Sequence, residues 1–350
     1  MNRMECIKVC IPHGEAAGKM KEQLNVVYAS NDGYARHLGA SLCSLYDRNL
    51  EEKELQVYVL SMGLTEESRV ALETIAENYG RELIFIDMDD LEARFGHPVD
   101  LGGYDISIML RLFIGEVLPR EVERVLYLDC DTIVAQSLKK LWEEDLEGCI
   151  IGAVMEPTIY LEVKESIGLE SRDPYYNSGV LLVDLKRWRE EGIQQRLLDF
   201  WKSKDGKLFA SDQDVLNGTL KGQIHTLMPR YNFFTNYRYF SYAQLLGHAP
   251  TYEAVSQDQF VLAKKHPTII HYMGDERPWI AGNLNHYRRA YDKYLAMTPW
   301  AGAPREKGKR RYMAAYHLLD YTTVVCPAVR WTISRKLGMK LVESRKERTS

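Results

Sequence analysis

The sequence predicts an α/β protein with a mostly parallel sheet covered by helices on both faces, because short apolar runs alternate with amphipathic segments. The runs at 25–30, 55–60 and 82–87 have the length and composition of buried strands. Leucines at helical spacing follow the first run, and a helix at 65–79 begins with acidic residues in its first turn. A chain of 350 residues that is 45 % hydrophobic can build one large domain with an annex.

The rest of the chain continues this alternation up to Pro229. It then becomes rich in tyrosine, phenylalanine and asparagine, and no element is predicted there before the strand at 268–272. The first 24 residues show no clear period and are predicted to be an N-terminal extension. The further predicted elements are a helix at 107–117, strands at 125–128, 149–155, 180–185 and 268–272, helices at 138–142 and 186–202, and a helix with Ser211 as its N-cap.

Charge and cysteine usage exclude several classes of protein. The 45 basic and 49 acidic residues leave no basic excess, so no nucleic-acid partner is expected. The 6 cysteines form no C-x-x-C pair, which is typical of reduced thiols in a cytosolic protein. Neither a long apolar run nor a leader-like N-terminus is present, so we expect a cytoplasmic protein. The glycine-rich motifs of P-loop and dinucleotide sites are also missing.

Two carboxylates follow the predicted strand at 125–128. Asp129 and Asp131 are two residues apart, so they point to one side at the carboxyl end of a strand, where ligands bind in open α/β sheets. Two close carboxylates repel each other, and a divalent cation relieves that repulsion. A solvated turn with two acids is the alternative interpretation.

A second candidate segment begins at His271, at the end of another apolar run. Neutral imidazole is a suitable third ligand for Mn²⁺. Gly274 lets backbone N–H groups approach a phosphate, and Arg277 offers a fork of donors for phosphate oxygens. The alternative is a structural histidine followed by a turn at Pro278, with Trp279 packed on the core.

Six segments in order resemble glycosyltransferase family 8, the retaining enzymes that include bacterial lipopolysaccharide galactosyl- and glucosyltransferases and, more distantly, glycogenin. They are NVVYASNDGY at 25–34, MLRLFIGE at 109–116, VLYLDCDTIV at 125–134, YYNSGVLLVDLKRW at 175–188, SDQDVLN at 211–217 and HYMGDERPW at 271–279. The resemblance implies a GT-A fold, a single Rossmann-like nucleotide-sugar-binding domain at 25–282, with a helical basic annex at 283–350.

The resemblance also implies the site. Asp129, Asp131 and His271 take the positions of Mn²⁺ ligands, with Mg²⁺ as the second candidate metal. The implied nucleotide-binding residues are Ala29, Asn31, Tyr34, Asp129, Cys130, Gly274 and Arg277, and the implied donor-sugar residues are Arg111, Glu156, Asn177, Asp212 and Gln213. Two positions depart from the family pattern, since Arg277 replaces the usual lysine and Asn31 a frequent acid.

The implied reaction moves glucose or galactose from a UDP-sugar to a saccharide or lipid-linked acceptor, in the synthesis of cell-surface polysaccharide or lipopolysaccharide. Retention requires a nucleophile or front-side attack, and Asp212 and Gln213 are the candidate catalytic residues. Because an amide is a poor nucleophile, we favour front-side attack with Gln213 stabilising the sugar cation. A non-catalytic UDP-sugar-binding sensor is the alternative. A haloacid-dehalogenase-like phosphatase is disfavoured, because such enzymes carry their D-x-D motif near the start of the chain, whereas here it lies at 129–131.

The C-terminal region differs in charge from the rest of the chain. Residues 305–350 carry 12 basic and 4 acidic side chains, and the pattern at 321–341 predicts a basic amphipathic helix. Such a helix can lie on the anionic inner face of the cytoplasmic membrane. A solvated helix docked on the body is the alternative.

Overall fold

The computed structural model describes residues 23–96, 99, 101, 105–275, 277–323, 329, 332, 333, 335–337 and 340. Its strands are β1 (Leu24–Asn31), β2 (Leu55–Met62), β3 (Leu83–Asp87), β4 (Arg124–Leu128), β5 (Thr132–Val134), β6 (Ile151–Met155), β7 (Tyr176–Asp184), β8 (Ile224–Thr226), β9 (Phe233–Phe234) and β10 (Ile269–His271). The apolar runs predicted as strands at 25–30, 55–60, 82–87 and 125–128 all form strands. Most side chains of β1, β2 and β4 are buried, whereas β3 at the edge of the sheet is only partly buried.

The helices cover this strand framework. They are α1 (Ala35–Arg48), α2 (Glu66–Glu77), α3 (Leu91–Phe95), α4 (Ile114–Val117), α5 (Lys139–Trp142), α6 (Leu161–Ser166), α7 (Leu185–Glu190), α8 (Ile193–Ser203), α9 (Ser211–Thr219), α10 (Tyr242–His248), α11 (Gln257–Lys265), α12 (Arg288–Leu295) and α13 (Arg310–Thr323). Short 3₁₀ helices lie at Asp32–Tyr34, Ile106–Phe113, Pro229–Asn232, Thr235–Tyr239 and Pro250–Ala254.

The main sheet within the described residues has 7 strands in the order β3-β2-β1-β4-β7-β6-β8. Strands β3, β2, β1 and β4 are parallel, whereas β7 is antiparallel to both β4 and β6. The chain leaves β1 toward β2 on one side and returns to β4 on the other. The predicted α/β class is therefore confirmed, and the carboxyl ends of β1 and β4 form a topological switch point, where such sheets bind ligands.

A second, three-stranded sheet brings distant segments together in the order β5-β10-β9. Strand β10 is antiparallel to β5, with His271 opposite Thr132, and the N–H of Tyr272 donates to the carbonyl of Asp131 at 3.0 Å. Because β5 starts directly after the two predicted carboxylates, this pairing places His271 beside them.

Three local predictions were wrong. The helix predicted at 186–202 is two helices, α7 and α8, separated at Gly192, whose φ of 59° does not continue a helix. The segment predicted as a helix at 107–117 begins as a 3₁₀ helix and becomes α-helical only at Ile114. Ser211 is the first residue of α9, and Ala210 is its N-cap. The N–H of Ala210 donates to the carboxylate of Asp214 at 2.7 Å.

Part of the described chain after position 282 packs on α1, whereas α13 contacts the segment at 283–284, where the N–H of Leu284 donates to Nε2 of His317 at 2.8 Å. Helix α12 lies against α1, and a Cβ at Gly39 would come within 2.6 Å of Trp300, so a side chain there would collide with this layer. Residues 1–22 of the predicted extension and most of the predicted helix at 321–341 lie outside the described residues. None of the helices in the described ranges is long and apolar enough to cross a membrane.

Candidate functional site

A cavity of about 550 Å³ opens at the carboxyl ends of β1 and β4. The sequence-predicted residues that line it are Ala29, Asn31, Tyr34, Arg111, Asp129, Cys130, Asp131, Asn177, Asp212, Gln213, His271, Gly274 and Arg277. Segments separated by more than 200 positions in the sequence thus meet at one site. Glu156 is the predicted residue that the cavity lining lacks.

The carboxylate–imidazole cluster, formed by Asp129, Asp131 and His271, occupies one end of this cavity. One ligand atom from each of the three residues lies within 4.8 Å of the others. His271 Nε2 is 3.2 Å from Asp131 Oδ1 and 3.8 Å from Asp129 Oδ2. Two carboxylates and an imidazole are a donor set that suits a divalent cation such as Mn²⁺.

Asparagine side chains fix the orientation of His271. Its Nδ1 lies 2.9 Å from Oδ1 of Asn232, while Nδ2 of Asn232 donates to Oδ1 of Asn177 at 2.8 Å. Because the amide oxygen of Asn232 can only accept, Nδ1 of His271 carries the proton. Nε2 is therefore the nitrogen that faces the two carboxylates, which is the orientation of metal-binding histidines held by an outer hydrogen bond.

The electrostatics of the cluster are consistent with a cation site. Burial by itself would raise the pKa of Asp131, but the neighbouring His271 lowers it below its usual value. Burial would likewise lower the pKa of His271, but Asp131 raises it above its usual value. Each group thus favours the charged form of its neighbour, so a positive charge among these oxygens is favourable, and a bound cation can supply it.

Gly179 makes the close approach possible, and sequence reasoning missed this role. A Cβ at this position would lie 2.3 Å from Cε1 of His271 and 2.7 Å from Oδ2 of Asp129. The N–H of Asp129 also donates to the carbonyl of Gly179 at 2.8 Å. The N-S-G sequence contained the signal, because a glycine in a strand often marks a close approach of other groups.

A buried arginine holds the carboxylates on the side away from His271. The guanidinium of Arg111 lies 2.8 Å from Asp129 Oδ1 and 3.0 Å from Asp212 Oδ2, and Tyr127 also donates to Asp129 Oδ1 at 2.9 Å. Burial opposes the charge on Arg111, but Asp129 and Asp212 raise its pKa above the usual value. One oxygen of Asp129 is therefore bonded within the protein, and the other faces the cluster.

An amide cluster, which we define as Asn177, Gln213 and Glu156, adjoins the carboxylate–imidazole cluster, because Asn232 bonds both Asn177 and His271. Gln213 Oε1 accepts from Asn177 Nδ2 at 3.0 Å and from the N–H of Ser178 at 3.1 Å. Gln213 Nε2 donates to Glu156 Oε2 at 3.1 Å and to the hydroxyl of Tyr175 at 3.2 Å. Both polar ends of the Gln213 amide are therefore fixed by the protein.

Glu156 lies behind the amides, away from the large cavity. Its Oε2 accepts from Asn177 and Gln213, and burial raises its pKa. The residue lines a smaller neighbouring cavity of about 120 Å³ together with Tyr175 and His248. The structure thus places Glu156 between two cavities, which local sequence reasoning could not show.

The predicted nucleotide-binding residues lie where β1 ends. Asn31 caps the following 3₁₀ helix, with its Oδ1 accepting from the N–H of Tyr34 at 3.1 Å. Burial raises the pKa of Tyr34 to about 12, so its ring is neutral. The thiol of Cys130 donates to the carbonyl of Ala29 at 3.1 Å, and burial raises its pKa, so it remains a thiol.

The facing segment carries the predicted phosphate-binding residues. Gly274 has a φ of 64°, a conformation that side chains disfavour. The guanidinium carbon of Arg277 lies 5.9 Å from the ring centre of Tyr34 and 5.9 Å from that of Trp279. Burial lowers the pKa of Arg277, but Asp131 raises it above its usual value overall, so the side chain is a stable cation at the cavity wall.

Comparison with known proteins connects this site to a family. The model of the glycosyl transferase family 8 matches residues 25–282. The chain is 28 % identical to general stress protein A of Bacillus subtilis over 282 residues, which are 80 % of this chain and 95 % of that protein. It is also 28 % identical to lipopolysaccharide 1,2-glucosyltransferase of Escherichia coli K12 over 85 % of this chain and 86 % of that one.

A solved structure confirms the predicted GT-A fold. The galactosyltransferase LgtC, determined in complex with donor and acceptor sugar analogues, superposes with a TM-score of 0.67 at 26 % identity and covers 79 % of this chain and 96 % of its own. Together with the match over most of the chain, this likeness shows that the chain belongs to glycosyl transferase family 8.

Proposed function

We propose that this protein transfers glucose or galactose from a UDP-sugar to a saccharide or lipid-linked acceptor, with retention of configuration. The observation that carries the proposal is the carboxylate–imidazole cluster, whose ligand atoms lie within 4.8 Å of one another in the large cavity. Relatives named as a lipopolysaccharide glucosyltransferase and a galactosyltransferase support a hexose as the transferred group and a cell-surface saccharide as acceptor.

Asp129, Asp131 and His271 would hold the metal, for which Mn²⁺ is the first candidate and Mg²⁺ the second. A bound divalent cation would supply Lewis-acid stabilisation of the diphosphate. Imidazole favours Mn²⁺ over Mg²⁺ in such a set. The bonds from Arg111 and Tyr127 to Asp129 Oδ1 hold that carboxylate in place and leave Oδ2 for the ligand side.

The nucleotide would lie along the wall formed by 29–34. The buried ring of Tyr34 offers a stacking face for the base, and Ala29, Asn31 and Cys130 line the same wall. Gly274 would present backbone N–H groups to the diphosphate, and Arg277 a guanidinium. These two groups stabilise the negative charge that develops on UDP as the sugar leaves.

The hydrogen bonds around Gln213 support front-side attack. Its Oε1 already accepts two bonds, from Asn177 and Ser178, which weakens an amide oxygen that is a poor nucleophile to begin with. Asp212 is paired with Arg111 at 3.0 Å and accepts from Ser178 Oγ at 2.9 Å. Both candidates are therefore better suited to orient the sugar and stabilise positive charge than to form a bond with it.

In this mechanism the bond from the anomeric carbon to the β-phosphate oxygen breaks. The acceptor hydroxyl oxygen bonds to the same face of that carbon, and its proton passes to the departing phosphate oxygen. Asp212 and Gln213 hold the sugar, while Arg277 and the N–H of Gly274 hold the diphosphate. Retention follows because attack and departure share one face.

The proposal is tested by UDP release from a panel of UDP-sugars with Mn²⁺, Mg²⁺ or EDTA, for the wild type and Asp131→Ala. Release from one donor that depends on Mn²⁺ and is lost in the variant supports it and identifies the hexose. Metal-dependent binding of a UDP-sugar without release, even with lipopolysaccharide and oligosaccharide acceptors added, would favour the alternative of a non-catalytic UDP-sugar sensor. Absence of binding would contradict both.

We further infer a catalytic domain at 25–282 and a membrane-facing annex at 283–350, which would hold a cytoplasmic protein at the inner face of the membrane. The described part of α13 supports this, because Leu318 and Tyr321 are 65 % and 60 % exposed on a helix that begins with Arg310 and Arg311. Leu318→Asp combined with Tyr321→Asp removes these exposed apolar side chains and leaves the buried His317 and Asp320 unchanged. If this variant and the wild type sediment equally with anionic vesicles, the inference is contradicted.

A further inference from the structure

The imidazole of His37 lies directly behind the segment that carries Gly274 and Arg277. His37 sits on α1, one turn after Tyr34, and is 1 % exposed. Its ring stacks on Trp279 with centroids 3.8 Å apart and an interplanar angle of 28°. The edge-to-face contact with Tyr34 has a centroid distance of 5.4 Å. One buried ring therefore touches both aromatic side chains that flank Arg277.

The hydrogen bonds of His37 define its protonation. Nε of Arg36 donates to Nε2 of His37 at 3.3 Å, and Nδ1 lies 2.7 Å from the hydroxyl of Tyr291 on α12. Because a guanidinium can only donate, Nε2 carries no proton and Nδ1 carries it. Burial, reinforced by Arg36, lowers the pKa of His37 to about 3. The side chain is a neutral ring with both nitrogen atoms bonded, so it has no charge to offer the site.

The guanidinium of Arg277 depends on this ring packing for its place. Its carbon lies 5.9 Å from the ring centres of both Tyr34 and Trp279, and within the described part of the chain its buried Nε has no hydrogen-bond partner. A long side chain without such bonds has several rotamers of similar energy, and the surrounding rings select among them. A change in the tilt of Trp279 would therefore move the guanidinium.

We propose that His37 is a positioning residue that holds Trp279 and Tyr34 so that Arg277 faces the diphosphate of the donor. This rests on the proposed function, since it assumes that the cavity binds a nucleoside diphosphate. His37 lines no part of the cavity and touches no reacting group, so it acts through Arg277. Its removal should weaken diphosphate binding more than it weakens the chemical step.

The test measures UDP affinity in the presence of Mn²⁺ by calorimetry for the wild type, His37→Ala and His37→Phe. Loss of the stacked ring in His37→Ala should weaken UDP binding about tenfold. His37→Phe restores a flat ring against Trp279 and should recover most of that affinity. In steady-state assays with a UDP-sugar that the wild type hydrolyses, His37→Ala should raise KM and leave kcat nearly unchanged.

A double-mutant cycle with Arg277→Ala distinguishes positioning from general damage. If His37 acts through Arg277, then His37→Ala should cause no further loss of UDP affinity once Arg277 is alanine. Leu72→Ala is the matched control, because it truncates a buried side chain on α2, which packs on α1, without touching these rings. This control should lower Tm and leave UDP affinity unchanged.

Each outcome has one meaning. Absence of UDP binding by the wild type would contradict the proposed function itself. Normal UDP affinity in His37→Ala, with binding intact in the wild type, would overturn the positioning role alone. If His37→Ala still weakens UDP binding by the same factor when Arg277 is alanine, the positioning role is overturned as well, since the effect would then not pass through the guanidinium.

Discussion

The carboxylate–imidazole cluster and the amide cluster, which form the charged end and the amide end of the site, bury polar groups in different ways. At the carboxylate–imidazole cluster, Asp131 and His271 face each other and Asp129 keeps one oxygen directed toward them. In the amide cluster, both polar ends of Gln213 are bonded to neighbours. Buried charges are costly without a partner, whereas a satisfied amide network is stable by itself.

This difference indicates what each end needs from its ligand. A bound cation would complete the charged end, so the geometry of these three side chains and the affinity for the donor should respond strongly to metal. The amide end is already rigid, so it can serve as a fixed template for sugar hydroxyls and should be insensitive to metal. Predictions that alter one end and leave the other unchanged therefore test the comparison directly.

The largest effect is expected from Asp131→Ala. This change removes one ligand of the cluster and leaves His271 without its nearest carboxylate. Loss of Lewis-acid stabilisation should reduce metal-dependent UDP release on the order of 10³-fold. Steady-state kinetics with saturating Mn²⁺ measures it, and retention of more than a tenth of the wild-type rate would contradict the assignment of Asp131 as a ligand.

A smaller loss is expected at the amide end from Gln213→Ala. The change removes an oriented dipole beside the sugar and takes one hydrogen-bond partner each from Asn177, the N–H of Ser178 and Glu156. We expect kcat to fall about 100-fold while the dependence on Mn²⁺ concentration stays as in the wild type. Normal turnover would exclude an essential role for Gln213, and an altered Mn²⁺ dependence would show that the two ends are not independent.

Gly179→Ala should act on the charged end through shape alone. The added Cβ would lie within 2.3 Å of Cε1 of His271, so the imidazole must move. Because this displaces a ligand without removing it, Mn²⁺ affinity should fall about tenfold. Gly247→Ala, where a Cβ meets no atom within 4 Å, is the control and should bind Mn²⁺ normally.

The smallest expected effect concerns the stability of the fold and not turnover. It arises at Asp214, which contacts the amide cluster through Tyr175. Asp214 accepts from Tyr175 at 2.6 Å, and burial raises its pKa to about 6. The folded state binds the proton of the Asp214 carboxyl more tightly than the unfolded state does. The resulting contribution to the free energy of unfolding is therefore complete below about pH 4 and is lost as the pH rises through 6. The contribution is on the order of 1–3 kcal/mol.

Asp214→Asn should remove this dependence. Denaturant unfolding of the wild type and Asp214→Asn at pH 4 and pH 7 measures the free energy of unfolding of each. The contributions of the other carboxylates are the same in both proteins and cancel in the difference. We expect the loss of unfolding free energy between these pH values to be smaller in the variant. An equal loss would mean that Asp214 titrates normally in the folded protein.

Much of the sheet could be predicted from the sequence because its central strands, β1, β2, β4, β6 and β7, are buried on both faces and therefore have nearly continuous apolar sequences. The helix boundaries were less accurate, since Gly192 and Ser211 adopt positive φ values of 59° and 43° that the local residue pattern did not show. Local sequence pattern indicated Asp129, Asp131, His271, Gly274 and Arg277 in the cavity lining, whereas the other predicted lining residues were named only through the resemblance to glycosyltransferase family 8. Asn232 and Gly179 were missed, since their effect depends on contacts with residues 39 and 92 positions away.

Local sequence patterns were sufficient to identify the α/β class and the position of the two carboxylates after β4, because periodicity and strand-end motifs depend on neighbouring residues. The resemblance to glycosyltransferase family 8 added the other segments that line the cavity. The pairing of β10 with β5 that brings His271 to Asp131, the position of Glu156 beside a second cavity and the stacking of His37 on Trp279 became visible only in three dimensions. These contacts join residues distant in the chain, and their partners are selected by packing in three dimensions.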